Sequence, residues 1–178
     1  GEDHFSKRAD GRDLAAELKT NGYDVVYTID EMKTSNSQKL AGLFAKVHMP
    51  RVSEGRTSSL EEMTRKAIEI LSRDKDGFFL MIEGSMIDWG AHANDIDYVT
   101  SELTDMDRAL GVALDFASKN RQTLVVTTAD HETGGLILTA GSDSQDKFKA
   151  VFGTTDHSGT MVPILSYGPG ACMFSGIH

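Results

Sequence analysis

Gly77-Phe78-Phe79-Leu80-Met81-Ile82-Glu83-Gly84-Ser85-Met86-Ile87-Asp88-Trp89-Gly90-Ala91-His92 is the stretch whose reading decides the fold. Its opening run, Gly77 to Ile82, is short and apolar and reads as a buried strand. Glu83 then stands at the carboxyl end of that strand, where open α/β sheets place their ligands. Asp88 and His92 are spaced i, i+4, so one helical turn sets a carboxylate and an imidazole on the same face, able to share a cation.

On both sides of this stretch apolar runs alternate with amphipathic segments, the pattern of an α/β domain with a mostly parallel sheet flanked by helices. Asp10 to Thr20 predicts a short helix closed by Asn21-Gly22, and Tyr23 to Tyr27 a strand. Lys39 to Ala45 reads as a second strand. Ser59-Leu60-Glu61-Glu62 is a capping box, and Met63, Ala67, Ile70 and Leu71 continue it as an apolar stripe. Ile96, Val99, Leu103, Met106, Leu110 and Ala113 keep helical spacing across Asp95 to Lys119, which predicts a long helix packed on the sheet. Thr123 to Thr128 is an apolar β-branched run and reads as a buried strand. Val162 to Tyr167 reads as the last strand, with Pro163 near its start or at an edge. No repeat or linker interrupts the series, so residues 1–178 are expected to form a single α/β domain.

Composition bounds the function. A chain of 178 residues with 39% hydrophobic content can bury roughly 70% of its unfolded surface. Its formal charge of -9 argues against nucleic acid or an anionic membrane as the main partner, because either rewards a basic face. An anionic substrate would need local attraction, which bound divalent metals supply. The single cysteine, Cys172, excludes an intrachain disulfide and a cysteine-rich zinc module. No run of apolar residues is long enough for a transmembrane helix, and no signal peptide opens the chain. The chain starts at Gly1 and stops at Phe174 to His178 without helix-ending or tail character, so both ends are expected to be cuts.

Two more segments join Glu83, Asp88 and His92. Asp130 and His131 follow the strand at Thr123 to Thr128, and His157 lies in Asp156-His157-Ser158-Gly159. Each has a plainer reading. An isolated Asp-x-x-x-His pair is more often a solvated helix face, Glu83 alone a surface or capping carboxylate, and His157 alone a loop histidine bonded to backbone. Adjacent Asp130 and His131 at a strand's carboxyl end are harder to explain by packing. Carboxylate and imidazole ligands without thiolate suit zinc at an open catalytic site better than a closed structural one. His4, His48 and His178 belong to no ligand spacing and read as structural or incidental.

Together, Glu83-Gly84…Ile87-Asp88…His92, Thr128-Ala129-Asp130-His131 and His157-Ser158-Gly159 resemble the metal-site motifs of alkaline phosphatases, in the same order and at similar separations. Leu60 to Ile68 and Tyr167-Gly168-Pro169-Gly170 resemble that family too. The likeness is to the carboxyl-terminal half of the bacterial type, so the family's three-layer α/β core is expected to be incomplete here. The resemblance assigns Asp88, His92 and His157 to a first zinc, Asp130 and His131 to a second zinc, and Glu83 to a nearby magnesium. Trp89 follows the first-site aspartate where other members carry lysine or histidine, and Ser158 replaces a frequent threonine.

The resemblance implies phosphomonoester hydrolysis through a phosphoseryl intermediate, with phosphate as product. It also implies a homo-oligomer, a dimer, in a periplasmic or secreted location. The family's nucleophilic serine lies in an Asp-Ser-Ala-Ala-type motif opening a helix, and no such motif occurs here. Asp143-Ser144 is the nearest dipeptide and lacks the small-residue helix. No catalytic residue is therefore assigned, and Arg108 and Arg121 are not promoted to a phosphate clamp. The isolated chain is expected to be inactive. Two alternatives stay open: a related two-metal phosphodiesterase or phosphomutase, and a non-catalytic zinc-binding fragment.

Overall fold

The computed structural model describes residues 1–140 and 148–177. The chain divides into two compact units, Gly1–Ile82 and Glu83–His178. Ser144 and His178 lie outside the described residues. Among those residues no helix is long and apolar enough to cross a membrane.

The first unit runs α1 (Asp3–Ser6), α2 (Leu14–Thr20), β1 (Asp24–Val26), α3 (Ile29–Thr34), β2 (Leu40–Gly42) and α4 (Leu60–Leu71). The helix expected from Asp10 begins at Leu14, because Asp13 takes the N-cap and accepts the Ala16 N–H at 3.0 Å. β1 and β2 pair in parallel with Val25 opposite Ala41. Ala15, Val25 and Leu43 form the buried cluster, with Phe5 and Leu18 packed against it, so the apolar side of α2 closes on the strand pair.

Helix α3 is capped as α4 is. The Thr28 hydroxyl accepts from the Glu31 N–H while the Glu31 carboxylate accepts from the Thr28 N–H, and Ser59 and Glu62 repeat the exchange at α4. Lys33 Nζ reaches Glu62 Oε1 at 2.5 Å and ties the two helices. The stripe of Met63, Ala67, Ile70 and Leu71 is only half-buried, because with Leu40 and Phe44 it lines a cavity of about 410 Å³. Lys66, next to Ala67 of the stripe, is buried, and its ammonium donates to the Ser35 carbonyl at 2.7 Å.

Gly77 to Ile82 does not form the expected buried strand. Its burial alternates as a strand's does, yet Phe79 is 88% and Met81 74% exposed, and among the described residues no ladder includes it. Apolar pattern makes an extended conformation favourable, but a strand also needs a neighbour to take its N–H and C=O groups.

The second unit runs α5 (Met86–His92), α6 (Ile96–Asn120), β3 (Val125–Thr127), β4 (Glu132–Thr133), β5 (Ile137–Ala140), β6 (Phe148–Val151), β7 (His157–Ser158) and β8 (Leu165–Tyr167). Asp95 caps α6 by accepting the Tyr98 N–H at 3.0 Å. The buried face of α6 is Tyr98, Val99, Glu102, Asp105, Ala109 and Ala117, so it shares Val99 with the stripe expected but is turned from the rest, in which Leu103 is 53% exposed. Sequence reading missed that face because two of its members are acidic.

Gly90 lets α5 sit against α6. A Cβ there would meet Val99 N at 2.9 Å and Tyr98 Cγ at 3.1 Å, closer than side chains tolerate.

Among the described residues, one of four strand pairings is parallel, β1 with β2. β3–β8, β4–β7 and β5–β6 are antiparallel, so the mostly parallel sheet expected from the sequence is not formed by these pairings. The described residues between β3 and β8 hold no helix. A parallel pair needs a crossover of that kind, whereas antiparallel pairs need only turns. β3 and β8 lie inside the strands expected there, and Pro163 falls two residues before β8.

Candidate metal centre

Two elements of the second unit bring three side chains to one point. In α5 the i, i+4 spacing does what it predicts: Asp88 and His92 share a face, with Asp88 Oδ1 3.4 Å from His92 Nε2. The third member, His157, comes from β7, sixty-five residues along the chain from His92. His157 Nε2 lies 3.1 Å from His92 Nε2 and 3.7 Å from Asp88 Oδ1.

These three edges, 3.1, 3.4 and 3.7 Å, describe a triangle of ligand atoms. Zinc bonded at about 2.0–2.1 Å in a tetrahedron sets its ligands about 3.3 Å apart, so the triangle has the size of one tetrahedral face. The proton inventory agrees. His92 Nδ1 donates to the Thr155 carbonyl, which can only accept, and in the neutral imidazole Nε2 then carries a lone pair that faces the Asp88 carboxylate. Two acceptors pointed at each other repel unless a cation stands between them. The three side chains are 33%, 37% and 51% exposed, which leaves the site open on one side.

His157 is brought in by β7 lying against β4. Thr133 stands opposite His157 and Glu132 opposite Ser158. The Ser158 hydroxyl donates to Glu132 Oε2, and the Leu136 and Gly135 N–H groups donate to the same carboxylate at 3.1 and 3.3 Å. Ser158 first, and then these backbone donors, hold the Glu132 carboxyl below the usual carboxylate range. Gly134 follows at φ +87, where a Cβ would meet the Ala91 carbonyl at 2.9 Å, so only glycine lets β4 leave past the end of α5.

Asp130 and His131 form a second edge. His131 Nε2 lies 3.3 Å from Asp130 Oδ2, the ligand separation of a tetrahedral zinc again. The His131 ring stacks on His157 with centroids 3.6 Å apart, so the second edge shares a wall with the triangle. Asp88, His92 and His157 are the one three-ligand group among the described residues, and Glu83, Asp130 and His131 lie outside it. Glu83 is exposed at the residue before Gly84. Arg108 and Arg121 are exposed, the first within α6 and the second just past its end. Sequence reading missed Thr133 and Glu132, although both follow directly on Asp130-His131 in the chain. Strands of two residues leave no periodicity to read.

Residues 1–148 match the family described as Alkaline phosphatase. Alkaline phosphatase 4 of Bacillus subtilis is 41% identical over 145 residues, covering 80% of this chain and 31% of that protein. The alkaline phosphatase of Escherichia coli is 31% identical across 94% of this chain and 45% of its own length. Among solved structures, the alkaline phosphatase from the Antarctic bacterium TAB5 superimposes with a TM-score of 0.88 at 39% identity, covering 98% of this chain and 53% of that one. A TAB5 variant with magnesium bound in its M3 site gives a TM-score of 0.87. The chain thus spans less than half of these two curated relatives. On the family match across most of its length, and with a metal-sized triangle of ligands in place, the chain belongs to the alkaline phosphatase family.

Proposed function

We propose that this chain carries the main zinc-binding part of a phosphomonoester hydrolase. The observation that carries the reading is the Asp88, His92 and His157 triangle with edges of 3.1 to 3.7 Å. Zinc held there would supply Lewis-acid polarisation of a phosphate oxygen and a water acidified toward about pH 7. The protein's own part is to aim lone pairs. The Thr155 carbonyl fixes the His92 tautomer, the β4–β7 pairing sets His157, and the open side leaves room for an ester.

Asp130 and His131 would hold part of a second zinc, whose remaining ligands come from outside this chain. Glu83 would serve a magnesium, a role supported by the magnesium in the M3 site of the TAB5 variant. No serine in a helix-opening motif supplies a nucleophile, so the chain alone is read as inactive. In the longer protein we place a phosphoseryl intermediate, a homodimer and a periplasmic or secreted address, all on family membership. There too, Gly77 to Ile82 gains a neighbour and joins a mostly parallel sheet.

Calorimetric titration of the metal-stripped chain with zinc, beside the His92→Ala variant, tests the reading. Saturable uptake by the parent chain and clearly weakened uptake by the variant are expected. Equal uptake by both overturns it.

A further inference from the structure

Thr133 is buried at 9% exposure between the two ligand groups. Its hydroxyl donates to Asp88 Oδ1 at 2.6 Å, the same oxygen that forms a corner of the triangle. His131 Nδ1 lies 3.1 Å from that hydroxyl oxygen. A threonine hydroxyl has one proton, and the carboxylate takes it. Toward His131 the oxygen can therefore only accept, and His131 must carry its proton on Nδ1. In the neutral imidazole Nε2 is then the lone-pair nitrogen, and it is the atom that faces Asp130 Oδ2 at 3.3 Å.

We propose that Thr133 is the positioning residue that couples the two ligand groups: one hydroxyl orients the Asp88 carboxylate of the first and fixes the His131 tautomer of the second. The inference rests on the metal-binding reading above. It adds that both groups are set by one side chain, forty-five residues from Asp88 along the chain. β4 holds Thr133 in register because Glu132 is bound by Ser158, Gly135 and Leu136 on the neighbouring side. Groups that hydrogen bond to metal ligands are worth about 10–100-fold in metal affinity.

Thr133→Val keeps the shape and removes the hydroxyl, whereas Thr133→Ser keeps the hydroxyl. The valine variant is expected to bind zinc about 10–100-fold more weakly than the parent chain, and the serine variant to recover most of the loss. Imidazole 15N chemical shifts of the metal-free chain at alkaline pH give a second readout that needs no metal. The parent chain should show His131 protonated on Nδ1, the serine variant should keep that signature, and the valine variant should lose it.

A parent chain with the Nε2–H tautomer at His131 overturns the proposal even if the valine variant does not fold. So does a folded Thr133→Val protein with parental zinc affinity and an unchanged tautomer. Failure of the parent chain to take up zinc would instead remove the metal-binding reading, and the tautomer readout would still decide the role of Thr133.

Discussion

Replacing Gly90 by alanine opposes two effects that can be weighed from the structure. Alanine is the better helix former and should stabilise α5 by about 1 kcal/mol. Its Cβ, however, would lie 2.9 Å from the Val99 backbone nitrogen and 3.1 Å from Tyr98 Cγ and Val99 Cγ2. A backbone atom in α6 cannot swing aside as a side-chain tip can, so the helices must move apart, and overpacking of this kind costs about 1–3 kcal/mol. Taking the middle of that range, the net is a loss of about 1 kcal/mol, or about 0.5 M in urea midpoint for an m-value of about 2 kcal/mol/M. Gly111 in α6 is the control, because a Cβ there meets nothing within 4 Å. Gly111→Ala should gain about 0.5–1 kcal/mol. Urea unfolding followed by circular dichroism gives both shifts. Gly90→Ala should also bind zinc more weakly, since α5 carries Asp88 and His92. A Gly90→Ala protein as stable as the parent would refute the packing reasoning, and so would a Gly111→Ala protein less stable than Gly90→Ala.

Lys33, then the Ser59 bonds, hold the Glu62 carboxyl below its ordinary value, so the stability it contributes is present at neutral pH and lost as pH falls through that lowered pKa. Urea midpoints for the parent chain and Glu62→Gln, taken from about pH 7 to about pH 3, should differ most at the neutral end and converge at the acid end; a constant gap would count against it. In the longer protein, His131→Ala should lower turnover by orders of magnitude, whereas Glu83→Gln should do less harm and be relieved by added magnesium. Steady-state rates at several magnesium concentrations check that order. The chain as given should show no turnover of a chromogenic phosphomonoester in zinc and magnesium, and turnover comparable to a full-length alkaline phosphatase would mean that a nucleophile has been missed.

What the sequence disclosed, and what it hid, follows from the range of each interaction. Asp88 and His92 were legible because an i, i+4 pair depends only on helix geometry. The α4 cap at Ser59 and Glu62 was legible for the same reason. Thr28 and Glu31 carry the same capping signature at α3, but the six residues that follow are too few to show an apolar period. The strand expected over Gly77 to Ile82 failed because pattern measures a preference, while a ladder requires a neighbouring strand. The buried face of α6 was misplaced because Glu102 and Asp105 are inside despite their charge. In the site, His157 and Thr133 meet through a two-residue strand pairing, a contact between distant segments that no local pattern encodes. The motif likeness named His157 as a ligand, but the hydroxyl joining Asp88 to His131 became visible only in three dimensions.

X-ray absorption at the zinc edge, on the chain loaded with a single equivalent of zinc, tests the central claim most directly. The triangle predicts only nitrogen and oxygen neighbours at about 2.0–2.2 Å, with the multiple-scattering signature of two imidazoles, and loss of one imidazole in His157→Ala. A sulfur neighbour at about 2.3 Å, or a spectrum with no imidazole that His157→Ala leaves unchanged, would contradict it.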